Sequence, residues 1–328
     1  MENSFLLKHY RHKTLLITGA SGYIASNIIE VLKNIDCNII RVSRNSKNLP
    51  KINSKSNITD LEGNITNKSF VDGFPEVDII FHLAAQTSTY MANNSPAEDF
   101  NINVKPIIHI VEKYKISEKL PVIIFAGSAT EVGLTEKNPV EESFEDEPLT
   151  IYDLHKLITE EYLKLYTRLG CIESAILRLA NVYGPGPASS SADRGILNMM
   201  IRKALADETL TIYGEGKFTR DYIYIEDVVS AFLMAPANIK KLNGKHFIIG
   251  SGTGLTINEA FDIIAKQVEA KTRKKVSIEH IPFPGEISPI ETRNFVANSD
   301  MFSKLCKWKA NYSFKEGTDK TVNHFINL

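Results

Sequence analysis

Residues 17–26 read ITGASGYIAS, and this stretch limits the fold more than any other. The run leading into it, TLLIT (14–18), is apolar like a buried strand, and helical periodicity sets in after Gly22. A strand, a glycine turn and a helix in that order open a βαβ unit. Gly19 can take the tight turn, and Gly22 lets an anion approach the helix start, where the first N–H groups have no partner within the helix. Ala25 stands where a third glycine often falls; that position governs helix packing, so one extra methyl costs little. An ordinary βα turn can share these features, so the rest of the chain decides.

Short apolar runs alternate with longer amphipathic segments throughout the first half. Candidate strands are 14–18, 38–42, 58–63, 77–84, 122–127 and 174–180, with helices after Gly22, near Ser95, near Asn103 and near Tyr152. That alternation predicts an α/β fold, a doubly wound parallel sheet of the Rossmann kind. After Arg178 the rhythm changes: NVYGPGPASSSADRG (181–195) is dense in Pro, Gly and Ser and reads as a crossing between domains. We expect a dinucleotide-binding domain over 1–180, rejoined by 221–257, and a smaller C-terminal substrate-binding lobe from 181–220 and 258–328.

Composition narrows the partners. Lys plus Arg, 38, nearly balances Asp plus Glu, 39, so nothing suggests a polyanion partner such as nucleic acid, or a membrane surface. The three cysteines, Cys37, Cys171 and Cys306, are far apart, so neither a disulfide framework nor a structural metal is expected, and the setting is read as cytoplasmic. No apolar run is long enough to span a bilayer, and the first residues lack the order of a secretory signal. The acidic EESFEDE (141–147) reads as a solvated loop.

Three further features point to chemistry. At the end of the second strand, where an acid commonly holds ribose hydroxyls, stand Ser43 and Arg44. A hydroxyl and a guanidinium fork suit a 2′-phosphate better than a diol, which leans the cofactor toward NADP over NAD. IYDLHK places Tyr152 and Lys156 four apart on one helix face, where a cation favours the phenolate and makes tyrosine a usable base. Ser128, in FAGSATEVG, follows the fifth strand at the carboxyl edge of the sheet, and FHLAAQTS (81–88) ends the fourth strand with small residues.

Taken in order, TGASGYIAS, EGNIT, FHLAAQ, NINVKP, GSATEVG, YDLHK, LRLANVYGPG, GEGKFTRDYIYIEDV and NGKHFIIGSG resemble the extended short-chain dehydrogenase/reductase family, specifically its nucleotide-sugar epimerase and dehydratase group. The resemblance implies that Gly19, Gly22, Tyr23 and Ile24 wrap a pyrophosphate, that Asn64 and Ile65 flank adenine, that Ala84, Ala85 and Gln86 line the cofactor channel, and that Asn103 lies beside it. It implies Tyr152 as the proton acceptor and donor at a sugar hydroxyl, Lys156 on the nicotinamide ribose, Ser128 on the reacting oxygen, and Thr130 as a second hydroxyl nearby. Asn181 and Arg220 would bind the sugar diphosphate.

The same resemblance sorts the reactions. A 4,6-dehydratase carries an Asp-Glu pair after the catalytic hydroxyl, and a 3,5-epimerase a cysteine; this chain has Ala129 and Thr130 there. Two reactions remain, 4-epimerisation of a nucleotide-diphosphate sugar and NADPH-dependent 4-ketoreduction, and the epimerase is the reading taken. A non-catalytic NADP-binding scaffold is the outlying alternative, and it predicts damage to the Tyr-Lys-Ser set, which is intact. His82 reads as a packed core histidine, His155 as facing away from Lys156, Cys171 as core, and Trp308 as a core anchor. By analogy a homodimer is expected through the helices at 103–115 and 152–169, whose apolar stripes, Ile107, Ile110, Val111, Tyr114 and Leu154, Leu157, Ile158, Leu165, are compatible with that interface or with a buried core.

Overall fold

The computed structural model describes residues 4–187, 195–283, 285 and 289–328. The Ser-rich part of the expected crossing, 188–194, and part of 282–295 lie outside the described residues. The strands are β1 (Thr14–Thr18), β2 (Asn38–Ser43), β3 (Asn57–Glu62), β4 (Ile79–His82), β5 (Val122–Ser128), β6 (Glu173–Leu179), β7 (Asn181–Tyr183), β8 (Leu210–Tyr213), β9 (Thr219–Tyr224), β10 (Lys245–Ile249), β11 (Gly254–Thr256) and β12 (Ile278–Ile281). The helices are α1 (Ser4–Lys8), α2 (Tyr23–Leu32), α3 (Lys68–Asp72), α4 (Thr89–Asn94), α5 (Pro96–Asn103), α6 (Lys105–Tyr114), α7 (Ile151–Arg168), α8 (Ile196–Leu205), α9 (Ile225–Ala237), α10 (Ile239–Leu242), α11 (Ile257–Thr272), α12 (Asp300–Cys306) and α13 (Phe314–Ile326).

Seven strands form one parallel sheet in the order β10-β6-β5-β4-β1-β2-β3. The chain winds outward from β1 to β3 and then crosses back to β4, so the strand order reverses between β1 and β4, where a crevice opens at the carboxyl ends. Alternation along β1 feeds two cores: Leu15 and Ile17 pack with Ile28, Ile29 and Phe232, while Leu16 packs with Ile80, Ile107, Val111 and Leu163. The first residues dock outside the sheet, with Tyr10 fully buried and its hydroxyl donating to the Leu233 carbonyl at 2.6 Å. A three-stranded sheet, β11-β9-β7, and the pair β12-β8 stand beyond the carboxyl edge.

Several expectations need amendment. The apolar stripe of α6 is wholly internal: Ile107, Ile110, Val111 and Tyr114 are all 0 % exposed, because that face meets the sheet of its own chain. On α7, Leu154 and Leu165 do face outward. Cys171 is half-buried in the turn before β6 and is not core. The acidic loop is only partly solvated, because Asp146 pairs with buried Arg178 and the Glu142 carboxylate accepts the Ile248 N–H at 2.9 Å. Trp308 is the core anchor expected of it, 4 % exposed with Nε1 donating to Ser230 Oγ at 2.7 Å.

Candidate active site

Gly19 has φ +68°, and a Cβ there would stand 2.7 Å from Ala84 Cα, so only glycine lets the β1 turn lie against the end of β4. Gly22 then starts α2 in an extended conformation with no side-chain cap, leaving the helix entry lined by backbone. Behind this turn, Thr18 Oγ1 accepts the N–H groups of Leu83 and Ala84 at 3.1 and 3.2 Å. Its own proton therefore goes to His82 Nδ1, 3.0 Å away, which fixes the histidine as the Nε2–H tautomer. Burial, helped by the charge of Lys156, pushes His82 down to about 3, so it stays neutral while it braces the loop.

One cavity of about 1410 Å³ runs from this turn across the sheet edge into the lobe. Gly19, Gly22, Tyr23, Ile24, Ser43, Arg44, Asn64, Ile65, Ala84, Ala85 and Gln86 line one end, and Ser128, Thr130, Tyr152 and Lys156 line the middle. Asn181, Tyr222, Arg293 and Arg202 line the far end. A long, open-ended channel walled by glycine, alanine and helix N–H groups fits a dinucleotide, whose pyrophosphate needs close backbone approach. Tyr23 donates its hydroxyl to the Gly184 carbonyl at 2.8 Å, and a Cβ on Gly186 would meet the Tyr23 ring at 2.5 Å, so the segment after β7 is laid directly over the start of α2.

At the β2 end, Ser43 donates to the Asn45 carbonyl at 3.1 Å and is buried, whereas Arg44 is exposed on the cavity rim with no hydrogen-bond or ion-pair partner recorded among the described residues. Glu62, the register partner of Ser43 on β3, is engaged by Ser46 N and Oγ at 2.9 and 2.5 Å, which holds its carboxyl below the usual range.

At the reaction centre, α7 begins at Thr150, which caps the Asp153 N–H, and carries Tyr152 and Lys156 into the cavity on successive turns. Lys156 Nζ donates to the Ala126 carbonyl at 2.9 Å and lies 4.6 Å from the Phe125 ring centre and 5.9 Å from that of Tyr152. Ser128 heads a 3₁₀ turn in which its N–H donates to Glu131 Oε1 at 2.6 Å. Glu131 belongs to a buried cluster with Arg178, whose guanidinium also holds Glu160 at 2.8 Å and Asp146 at 2.8 Å. Burial, then the neighbouring Glu160, pushes the Glu131 carboxyl well up. Burial also opposes ionisation of Glu160, yet His246 and Arg178 hold it well below the usual range.

Two expected ligands are placed elsewhere. Asn103 lies outside the cavity lining: it accepts the Gln86 N–H and donates to the Gln86 carbonyl, both at 3.0 Å, fastening the channel loop from behind. Buried Asp99 completes that brace by accepting from Gln86 Nε2 at 2.7 Å and pairing with His155 Nδ1 at 2.7 Å. Arg220 is also absent from the lining. Its guanidinium is spent on the carbonyls of Glu291 (2.6 Å) and Arg293, and the segment it holds carries Arg293 to the wall instead. The sequence reading missed Arg293, Arg202 and Asp153. Only Asp153, beside Tyr152, had a local signal.

Residues 15–250 match the family model described as the NAD dependent epimerase/dehydratase family. A Methanocaldococcus jannaschii protein, assigned by inference as a UDP-glucose 4-epimerase, is 35 % identical over 323 residues, covering 95 % of this chain and 98 % of that protein. The UDP-glucose 4-epimerase of Mycolicibacterium smegmatis is 27 % identical across 95 % of this chain and 98 % of its own. Among solved structures, the UDP-glucose 4-epimerase of Thermotoga maritima with UDP-glucose superposes with a TM-score of 0.84 at 26 % identity, covering 96 % of this chain and 99 % of that one.

Proposed function

The chain belongs to the NAD dependent epimerase/dehydratase family, and from that premise we propose that it is a UDP-sugar 4-epimerase. The observation that carries the reading is the single cavity in which the glycine turn, the Tyr152–Lys156–Ser128 centre and a polar sugar end are continuous. The names of the relatives support position C4 and the UDP carrier, and nothing in them favours the ketoreductase.

A nicotinamide dinucleotide, when bound, supplies the two-electron acceptor and donor for the sugar carbon. The backbone of Gly19, Gly22, Tyr23 and Ile24 would hold its pyrophosphate, Asn64 and Ile65 its adenine, and Ala84 and Ala85 its passage to the centre. Tyr152 takes the C4 hydroxyl proton as that carbon is oxidised and returns it to the same oxygen when the carbon is reduced from the opposite face. Lys156, one turn along α7, favours the charged form of Tyr152 through its own charge. Asn181 and Arg293 would engage the diphosphate, and the sugar must swing about that anchor to expose both faces.

Finer points follow from the same site. The guanidinium of Arg44, exposed on the rim with no partner among the described residues, supports a 2′-phosphorylated dinucleotide, NADP, over NAD. The exposed Leu154 and Leu165 on α7 support a homodimer through that helix. Three free cysteines suit a cytoplasmic setting.

The test is to incubate the purified protein with UDP-glucose, and separately with UDP-N-acetylglucosamine, without added cofactor, and to follow the 4-epimer. Interconversion is expected with cofactor carried by the protein, and Tyr152→Phe should cost roughly 10²- to 10⁴-fold in kcat with that cofactor retained. Turnover that needs stoichiometric NADPH and a 4-keto sugar sinks the epimerase in favour of the reductase.

A further inference from the structure

Ser128 Oγ and Thr130 Oγ1 are 2.6 Å apart, and Thr130 Oγ1 in turn donates to Asp153 Oδ1. Asp153 is 0 % exposed, and its other oxygen accepts the Thr150 hydroxyl at 2.7 Å. A hydroxyl has one proton to give and two lone pairs to offer. Thr130 gives its proton to the carboxylate, so toward Ser128 it can only accept. Ser128 must therefore donate to Thr130, and it also accepts the Thr130 N–H at 3.3 Å. One lone pair remains, and Ser128 lines the cavity beside Tyr152.

We propose that Asp153, acting through Thr130, turns the Ser128 hydroxyl into a hydrogen-bond acceptor toward the sugar, so that Ser128 can hold a C4 alcohol and offers nothing to a C4 ketone. This inference rests on the epimerase reading above. An alcohol at C4 can donate to Ser128 or hand its proton to Tyr152. A ketone has no proton and can take a hydrogen bond only from a donor, which the newly protonated Tyr152 is and Ser128, with its proton committed, is not. The ketone is thus held at its C4 oxygen by Tyr152 alone, with nothing from Ser128, which suits an epimerase, whose ketone has to leave the first face before it is reduced on the second. A site built for one-way reduction gains from a serine that donates. Asp153 and Thr130 are positioning residues here, and the proton of the reaction still passes between the C4 oxygen and Tyr152.

Two substitutions attack the chain from opposite ends. Thr130→Val removes the acceptor of the Ser128 proton; Asp153→Ala frees Thr130 to donate to Ser128. Either change releases the Ser128 proton toward the sugar. The primary readout is equilibrium binding to the cofactor-loaded protein of UDP-glucose against UDP-4-keto-6-deoxyglucose. The ketone-to-alcohol affinity ratio is expected to rise roughly three- to tenfold in both variants, the yield of one added hydrogen bond, with Thr130→Ser at the wild-type ratio. In turnover, kcat should fall by a similar factor with KM little changed, and reduced cofactor should accumulate in the steady state. Melting temperatures separate this from damage to the fold, since a merely structural role lowers stability and leaves the ratio alone. A ratio within twofold of wild type in every folded variant overturns the inference. A wild-type protein that epimerises no UDP-sugar overturns the functional reading instead, and the binding ratio, which needs no turnover, still tests the orientation of Ser128.

Discussion

At the end of the cavity proposed for the dinucleotide the wall is backbone: a Cβ on Gly19 would stand 2.7 Å from Ala84 Cα, Thr18 and His82 brace the adjoining loop from the sheet, and Asn103 braces it from α5. At the other end, proposed for the sugar, the wall is polar side chains, Asn181, Arg202, Tyr222 and Arg293, carried on elements far apart in sequence. The first end is rigid and tolerates few residues. The second can change its ligand by exchanging side chains without disturbing the sheet. A fold can thus keep one cofactor geometry while its substrates vary, because the two requirements rest on different kinds of structure.

The sharpest way to break that contrast is Gly19→Ala. A positive φ and a backbone contact that cannot move aside make the substitution strained by about 1–3 kcal/mol, so cofactor affinity should fall by up to roughly 100-fold. Mass spectrometry of nucleotide released on denaturation reads this directly; wild-type content in the variant contradicts the rigid wall.

Rigidity at this end also has a pH signature. His82 is held down to about 3 in the folded chain, against an ordinary 6.5 once unfolded. Between those values the unfolded chain binds the extra proton, so stability falls as pH drops below 6.5, by at most about 1.4 kcal/mol per pH unit from this group. His9, lowered to about 4 by burial and Lys13, acts in the same direction. Denaturant melts from pH 7 to 4 should show a shallower slope in His82→Gln, which cannot ionise. An unchanged slope assigns the acid sensitivity elsewhere.

At the sugar end the comparison turns on two arginines. Arg293→Ala should raise the KM for the UDP-sugar about tenfold with kcat nearly unchanged, the pattern of lost uniform binding. Arg220→Ala removes donors to the Glu291 and Arg293 carbonyls, so it should lower the melting temperature as well. Arg220→Lys should not rescue it, for lack of a planar fork. A purely kinetic defect in the Arg220 variants, with Arg293→Ala silent, returns the diphosphate role to Arg220.

The same division explains what was legible in the sequence. Strands β1, β2 and β5 announce themselves by apolar runs, and Gly19, Gly22, Tyr152 and Lys156 sit at fixed offsets from them, because backbone geometry and helix period are local. α4 was missed, since THR-TYR-MET-ALA-ASN-ASN has weak helical periodicity and is held by its packing on α5 and α7. Asn103 and Arg220 pose a different problem: their motif context marks them as important but not by which contact, and each holds backbone that carries a lining residue. Arg293 is brought to the cavity with the help of the Arg220 tether on β9, a relation across 73 residues that no local pattern encodes.

The smallest expected effect tests whether the rigid end nonetheless contains one exchangeable side chain. Arg44 follows Ser43 on β2, lies exposed at the rim, and is bound by no acid among the described residues, since Glu62 is taken by Ser46. A guanidinium so placed gains little from a ribose diol and more from a 2′-phosphate, although exposure and salt weaken the attraction. Arg44→Ala should therefore lower affinity for NADP about fivefold, leave NAD within twofold, and leave the KM for the UDP-sugar untouched, as read by titrating cofactor into stripped protein. If the two dinucleotides weaken equally, Arg44 contacts a group common to both, and the adenosine end belongs with the rigid wall after all. If only NADP weakens, cofactor choice is carried as substrate choice is, by one replaceable side chain on an invariant frame.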